Sequence, residues 1–192
     1  MQRIVVGVDE AGRGPLAGPV AVGVVAVPKN FNIKKAFPGV GDSKKLTEKK
    51  REEIYKQALI YRRAGKINFC VKFGSAKAID TSGITKTVRR GVWSGIKKLA
   101  PKAAGVKVLL DGLLHAPPEY AQETIIRGDA SEPVISLASI VAKVSRDRLM
   151  CKLAKEFPNY GFEVHKGYGT KAHQHAIERF GVSEVHRKTF CH

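Results

Sequence analysis

Two adjacent carboxylates, Asp9 and Glu10, stand near the start of the chain, directly after the apolar run at residues 4–8. The run predicts a buried central strand, and we expect that strand to end where the acids begin. Burying a pair of carboxylates is unfavourable unless a cation compensates their charge. Hard divalent cations such as Mg²⁺ and Mn²⁺ suit carboxylate oxygens, so the pair is a candidate metal site. Acids that simply face water at a strand end are the alternative.

The same arrangement recurs at two further places in the sequence. Asp111 follows the apolar run at 106–110, and Asp129 follows the run at 123–127 after one glycine. Strand ends of an open α/β sheet can converge beside a ligand crevice, so the repetition favours one shared metal site over separate solvated acids. Aspartate is scarce in this chain, which makes its placement informative. The aspartates are Asp9, Asp42, Asp80, Asp111, Asp129 and Asp147.

A glycine-flanked cation, Arg13 between Gly12 and Gly14, follows the first two acids. Asp9 and Glu10 would leave opposite faces of an ideal strand, so a shared site requires the strand to end or twist before this loop. Glycines let a backbone approach a ligand closely, and the arginine could hold a phosphate. A plain turn is the alternative.

Ser43 and Lys44 come just before a helix that we predict at 48–63, with Thr47 as its N-cap. Backbone N–H groups and positive charge at such a position favour a phosphate. A solvated run of charge explains these residues equally well.

A second predicted helix, at 136–157, carries Lys143 and Arg146, which we expect to contact substrate. Asp147 stands four residues after Lys143, the spacing of a helical ion pair, and we interpret it as structural. Tyr168 lies between glycines in a small loop that precedes a predicted helix at 171–180.

Hydrophobic periodicity predicts an α/β chain. On the strand at 66–73, alternation predicts a buried face formed by Ile67, Phe69, Val71 and Phe73. The remaining strands are predicted at 4–8, 19–27, 106–110 and 123–127, and the helices at 48–63, 83–99, 136–157 and 171–180.

Charge is the strongest compositional signal. The 192 residues include 34 Lys and Arg against 17 Asp and Glu, a formal net charge of +17. Such an excess attracts polyanions, of which nucleic acid is the commonest, and no basic amphipathic helix points to a membrane surface instead. No apolar run approaches the roughly 20 residues that span a bilayer. We see no signal peptide, so a cytoplasmic location is expected.

Carboxylates that gather hard metal ions on a strongly basic protein point to metal-dependent phosphodiester chemistry. Two cations roughly 3.5–4 Å apart can activate a water and stabilise the leaving oxygen of an in-line displacement. The protein then needs acids to hold the metals and cations to hold the substrate backbone.

Several motifs, in this order and spacing, resemble the bacterial ribonuclease HII family: VDEAGRGPLAGP, DSKKL, LLDG, IRGD followed by SLASIVAKVSRD, and HKGYGT. The resemblance covers nearly the whole chain. It implies a ribonuclease H-like mixed five-stranded sheet flanked by helices, with a catalytic domain at 1–157 and a small C-terminal helical extension at 158–192. It also implies an endoribonuclease that hydrolyses the RNA strand of RNA/DNA hybrids and cuts at single ribonucleotides embedded in duplex DNA.

The resemblance also carries site residues onto this sequence. The family's metal-binding carboxylates, which would hold Mg²⁺ or Mn²⁺ and two ions during catalysis, fall on Asp9, Glu10, Asp111 and Asp129. The substrate-sensing loop and tyrosine fall on Gly12, Arg13, Gly14 and Tyr168. Further substrate contacts are expected from Ser43, Lys44, Lys143 and Arg146. We expect a monomer that binds nucleic acid and no membrane.

Two other functional classes stay open. A non-catalytic nucleic-acid-binding protein would explain the charge, but acids at strand ends would weaken its binding. Another metal-dependent nuclease of the same fold, such as a junction resolvase, would explain the acids but not the glycine loop together with Tyr168.

Overall fold

The computed structural model describes residues 3–41, 43 and 45–191, so Lys44, a predicted substrate contact, lies outside the described residues. One mixed sheet has the strand order β3-β2-β1-β4-β5. Its strands are β1 (Ile4–Ala11), β2 (Val20–Pro28), β3 (Asn68–Gly74), β4 (Val106–Asp111) and β5 (Ala121–Ile125). The predicted mixed five-stranded sheet is confirmed.

Strand β1 lies at the centre of the sheet, antiparallel to β2 and parallel to β4. The prediction that this strand ends before Asp9 is wrong, because β1 continues to Ala11. Its last residues still find backbone partners on β2, where Asp9 pairs with Gly23. On the other side the pairing stops at Val8, opposite Leu110 of β4. The two acids therefore lie in a strand segment that is paired along one edge.

Helices cover both faces of the sheet. Helix α2 has the predicted bounds, and the Thr47 side chain caps it by accepting from the Lys50 N–H at 3.2 Å. The helices are α1 (Ile33–Ala36), α2 (Glu48–Arg63), α3 (Ala76–Ser82), α4 (Ile84–Leu99), α5 (Gly128–Ser131), α6 (Pro133–Glu156), α7 (Phe162–His165) and α8 (Lys171–Phe180). None of the helices among the described residues has the length and apolar character needed to cross a bilayer.

The core forms two layers, one on each face of β1 and β2. Helix α4 packs Val92 and Ile96 against one face. Its Gly95 lets the helix approach closely, because a Cβ there would overlap Val24 of β2. Helix α6 packs Leu137 and Ile140 against the other face, together with α2. Burial from both sides explains why the central strands are continuous apolar runs.

Strand β3 departs from its prediction. It begins at Asn68, and Phe73, expected in the buried face, is 47% exposed. As an edge strand, β3 pairs on one side only.

The predicted strand at 123–127 is also shifted. Strand β5 ends at Ile125, and Arg127 then adopts a left-handed conformation with φ of 55°. Asp129 consequently lies in the short helix α5 and not at the end of a strand. The left-handed turn redirects the chain into helix α6, which begins at Pro133.

The chain after α6 returns to the segment that follows β1. The Leu16 N–H donates to the Gly167 carbonyl at 2.8 Å, and Gly18 donates to Val185 at the same distance. Ala17 forms an antiparallel bridge with His186. The C-terminal residues therefore pack directly against the loop that follows the two acids. The division into 1–157 and 158–192 stays a prediction.

Candidate active site

A pocket of about 290 Å³ opens at the carboxyl ends of β1 and β4. Three of the four predicted metal-binding carboxylates, those of Asp9, Glu10 and Asp111, line it. The remaining lining residues are Ala11, Gly12, Arg13, Gly14, Ser43, Ser139, Lys143 and Tyr168.

Asp9 is 5% exposed and sits between the sheet and helix α6. Burial raises the pKa of its carboxyl well above the usual range, and the neighbouring Glu10 raises it further. The Ser139 hydroxyl and the Glu10 N–H donate to the carboxylate and partly oppose this shift, the latter at 2.7 Å. For Asp9, the unfavourable effect of burial on the ionised form therefore outweighs these two hydrogen bonds.

Glu10, the next residue of the strand, is also an acid whose pKa is raised by burial. Burial raises the pKa of its carboxyl, and the Arg13 guanidinium, 3.3 Å from Oε1, opposes that shift. Its second oxygen, Oε2, is buried and has no hydrogen-bond partner among the described residues. A buried carboxylate oxygen without a partner fits a divalent cation, which would satisfy it and lower the pKa of both acids.

The geometry resolves how neighbouring acids of a strand line one pocket. Because the pairing with β4 stops at Val8, no strand among the described residues pairs with that edge of β1 beside Asp9 and Glu10. Asp111, the residue after Leu110, extends beside the same open edge. The carboxylates of Asp9, Glu10 and Asp111 can therefore line one pocket although β1 continues to Ala11.

Asp129, the fourth predicted carboxylate, lies beside Asp111 but does not line the pocket. Its N–H points to Asp111 Oδ1 at 3.4 Å, and its side chain is 6% exposed. Within the described residues, no three acidic, histidine or cysteine side chains lie in a ready metal-binding arrangement. Asp9, Glu10 and Asp111 thus share the pocket, and Asp129 adjoins Asp111 through its backbone.

The glycine loop, Gly12 to Gly14, forms one wall of the pocket. Gly12 has a φ of +88°, and a Cβ on this residue would overlap Arg146 Nε. Both features require glycine at this position. Arg13 and Gly14 are exposed, and a Cβ on Gly14 would meet nothing within 4 Å.

The prediction that Arg146 contacts substrate is wrong. Its side chain is fully buried beneath the glycine loop. Nε donates to the Pro19 carbonyl at 2.9 Å, and a terminal nitrogen lies 3.3 Å from the Ala17 carbonyl. Helix α6 directs this residue at the underside of the loop, so Arg146 supports the loop and cannot reach a phosphate.

Three other predicted substrate contacts line the pocket. Ser43 is buried, and its Oγ lies 2.7 Å from Ser139 Oγ on helix α6. Lys143 forms the predicted ion pair with Asp147 at 2.9 Å. Tyr168 is 43% exposed, and the Arg146 guanidinium lies 5.8 Å from its ring centroid.

A buried histidine pair, which sequence analysis missed, supports Tyr168. His173 Nδ1 lies 2.9 Å from the Tyr168 carbonyl, which can only accept, so this nitrogen carries the proton. His173 Nε2 therefore accepts from His186 Nε2 at 3.1 Å. His186 Nδ1 in turn accepts from the Ser183 N–H and hydroxyl. Burial and the facing His173 lower the pKa of His186 to about 4, so both rings are neutral at pH 7.

Sequence analysis also missed Arg187, which is fully buried behind the glycine loop. Its guanidinium donates to the carbonyl oxygens of Gly12 at 2.6 Å, Arg13 at 2.7 Å and Gly18 at 3.0 Å. No periodicity marks this residue, because it lies in an irregular segment far along the chain. Ser139 carried a weak signal, as a hydroxyl within the apolar stretch of α6.

Comparison with known proteins gives a consistent result. A family model described as ribonuclease HII matches residues 6–192. Ribonuclease HII of Coxiella burnetii (strain Dugway 5J108-111) is 44% identical over 189 residues, which make up 97% of this chain and 88% of the relative.

Solved structures show the same fold. Ribonuclease H2 from Pyrococcus horikoshii OT3 has a TM-score of 0.77 and 26% identity, covering 97% of this chain and 93% of that chain. Bst-RNase HIII in complex with Mn²⁺ has a TM-score of 0.70 at 19% identity, covering 94% and 63%, and supports the fold alone. The predicted ribonuclease H-like architecture is confirmed.

Proposed function

This chain belongs to the ribonuclease HII family, and from that premise we propose that Asp9, Glu10 and Asp111 hold the metal ions with which it works. The protein is an endoribonuclease that acts on the RNA strand of RNA/DNA hybrids. Mg²⁺ or Mn²⁺ is the proposed cofactor, with two ions during catalysis. Asp129 is the proposed fourth ligand, since its backbone adjoins Asp111.

The observation that carries this proposal is the uncompensated charge of the pocket. Asp9 and Glu10 are buried acids with raised pKa values, and Glu10 Oε2 has no hydrogen-bond partner among the described residues. Bound divalent ions would supply an activated water and stabilise the leaving oxygen. Ser139 holds the Asp9 carboxylate, and Arg13 holds Glu10 Oε1, so the acids are oriented before any ion binds.

The glycine loop and Tyr168 are proposed to select a ribonucleotide. The feature that distinguishes a ribonucleotide from a deoxyribonucleotide is the 2′-hydroxyl, which both donates and accepts. The exposed backbone of Arg13 and Gly14 borders the same pocket as the acids, so a hydroxyl bound there lies close to the reacting phosphate. Tyr168, on the same pocket, is proposed to pack against the neighbouring sugar.

Cleavage of a DNA duplex that carries one ribonucleotide tests the proposal. We expect cutting at the ribonucleotide with Mg²⁺ or Mn²⁺, no cutting with EDTA, and no cutting of the all-deoxy duplex. Binding without cleavage under all conditions would indicate a non-catalytic binding protein. Equal cutting of the all-deoxy duplex would indicate another nuclease of this fold.

The role of Tyr168 has its own test. Tyr168→Ala should reduce cleavage at a single-ribonucleotide junction more than cleavage of a long RNA/DNA hybrid, because a long hybrid offers many alternative positions. Val164→Ala, at an exposed residue outside the pocket lining, is the matched control. An equal reduction on both substrates would contradict a junction-reading role.

The cytoplasmic location and the monomeric state expected from the sequence remain proposals. Lys44 likewise remains a proposed substrate contact on sequence grounds.

A further inference from the structure

We propose that Arg187 is a positioning residue for ribonucleotide selection: it fixes and polarises the peptide groups of the glycine loop, so that the Arg13 and Gly14 N–H groups become strong donors at the pocket. This inference rests on the proposed role of the loop in reading the 2′-hydroxyl. Arg187 does not line the pocket and lies outside the sequence motifs quoted above for the resemblance.

Arg187 binds the backbone of the segment that follows the two acids. Two of its donors meet consecutive carbonyl oxygens, Gly12 at 2.6 Å and Arg13 at 2.7 Å, and a third meets Gly18 at 3.0 Å. A guanidinium presents these donors in one rigid plane, so one side chain holds two carbonyls of the glycine loop together with that of Gly18. A lysine ammonium at the same position is a point charge and could not reproduce the fork.

Peptide geometry determines which way the N–H groups of Arg13 and Gly14 point. In a trans peptide the N–H points away from the carbonyl of the same unit, and the structure contains no cis peptide among the described residues. Carbonyls of Gly12 and Arg13 that face the buried Arg187 therefore leave the N–H groups of Arg13 and Gly14 on the pocket side. Neither N–H donates to a protein acceptor within the part of the chain that the structure describes.

The positive charge of Arg187 lies against the carbonyl oxygens of Gly12 and Arg13. In the described part of the chain it forms no ion pair with an acid, and the Phe190 ring lies 5.3 Å from its guanidinium carbon. Burial, followed by the nearby Arg146, lowers its pKa to about 10, so it stays protonated at pH 7. Hydrogen bonds to a charged group are about twice as strong as neutral ones, and an accepting carbonyl makes the N–H of its own peptide a better donor.

Arg146 performs a different task beside it. Its bonds go to the carbonyls of Ala17 and Pro19, further along the segment, and it supports Gly12 from below by contact alone. Among the described side chains, Arg187 alone bonds to the two peptide groups whose N–H groups border the acids.

The experiment measures selectivity with active enzyme in Mg²⁺. KM is determined for a DNA duplex with one ribonucleotide, and Ki for the all-deoxy duplex of the same sequence as competitor. Arg187→Lys should raise KM about tenfold while Ki stays within about twofold, because phosphate contacts are retained. Arg179→Lys, the same substitution at an exposed position of α8, should change neither value.

A second variant keeps the test decisive if Arg187→Lys fails to fold. Asp80 anchors the turn after Arg187, accepting from the Lys188 and Thr189 N–H groups at 3.0 and 3.1 Å. Asp80→Ala should loosen that anchor and lower the ratio of Ki to KM about threefold without unfolding the protein. A folded Arg187→Lys with the wild-type ratio would overturn the inference, and so would an unchanged Asp80→Ala if the lysine variant does not fold. A wild type whose KM equals its Ki would refute the proposed role of the loop in selection, whereas a wild type that cuts neither duplex, or cuts both equally, would refute the proposed function.

Discussion

Aspartates of this chain lie in two kinds of environment, and single substitutions test whether their roles differ. Asp111 lines the pocket, whereas Asp147 forms an ion pair with Lys143 on helix α6. The amide of an asparagine fills nearly the same volume as the carboxyl group it replaces but cannot supply a charge to a metal ion.

Asp111→Asn should lower kcat at least about a hundredfold, a loss of about 3 kcal/mol of transition-state stabilisation. The fold should persist, since an asparagine Oδ1 can still accept from the Asp129 N–H. The measurement is single-turnover cleavage at saturating Mg²⁺, with binding of the hybrid measured in parallel. Near-normal turnover would remove Asp111 from the metal site.

Asp147→Asn is the matched control for that experiment. It should leave kcat within about threefold and reduce the unfolding free energy by less than about 1 kcal/mol, as expected for a single ion pair near the surface. A complete loss of activity would show that Asp147 and not Asp129 belongs with the pocket acids.

The two glycines of the loop should respond differently to alanine. Gly12→Ala places a Cβ at a left-handed φ and against Arg146, so it should destabilise the protein by about 1–3 kcal/mol and abolish cleavage. Gly14→Ala meets no protein atom and should keep the wild-type melting temperature while raising KM. Equal melting temperatures for both variants would contradict the close contact between Gly12 and Arg146.

At the residue scale, sequence reasoning was strongest where side-chain chemistry is local. Three of the four acids singled out by their position after predicted strands, Asp9, Glu10 and Asp111, line one pocket, and their role as metal ligands stays a prediction. Arg146 and Arg187 could not be assigned, because whether a cation faces solvent or a buried carbonyl depends on segments far apart in sequence. The prediction for Arg146 relied on its positive charge, which does not indicate whether the side chain is buried.

At the scale of elements, helices were predicted better than strand ends. The bounds of α2 followed from its cap and its periodicity, both of which are local. The end of β1 depended on where β2 and β4 stop pairing with it, and neither limit is encoded in residues 4–11. Helix α3 escaped prediction because its seven residues are too few to show a period.

The contact between His173 of α8 and His186 predicts how the unfolding free energy depends on pH. His186 has a folded-state pKa of about 4, lowered by burial and by His173, against about 6.5 in an unfolded chain. Neutral His186 therefore contributes stability above pH 6.5, and this contribution is lost as the pH falls from 6.5 toward 4. The unfolding free energy should decline across this window by at most about 3 kcal/mol.

Chemical denaturation at several pH values checks this prediction. His186→Gln should flatten the decline, because the variant has no proton to gain at this position. His175→Gln, at an exposed position of α8, should leave the decline unchanged. Identical pH dependence in the wild type and His186→Gln would contradict the assignment of His186 as the acid-sensitive group.

For the whole molecule, the net charge of +17 governs the encounter with nucleic acid. Affinity for a hybrid should fall with salt, with a log–log slope of about −4 or steeper, since each phosphate contact contributes roughly −0.7 to −0.9. Lys44→Ala should reduce the magnitude of this slope by about one contact, and Lys66→Ala, at the opposite end of the sheet, should not. Fluorescence anisotropy over a salt series measures both slopes, and equal slopes would exclude Lys44 from the phosphate-binding surface.

The bond from Arg187 to the Arg13 carbonyl joins residues 174 positions apart. At about 5–20 residues per second, a ribosome needs roughly 10–35 seconds to add that stretch. Asp9 and Glu10 thus leave the exit tunnel well before the arginine that organises the adjoining loop is polymerised. A nascent chain that already exposes these two acids therefore still lacks the proposed means of selecting a ribonucleotide, because that means depends on a residue added 174 positions after Arg13.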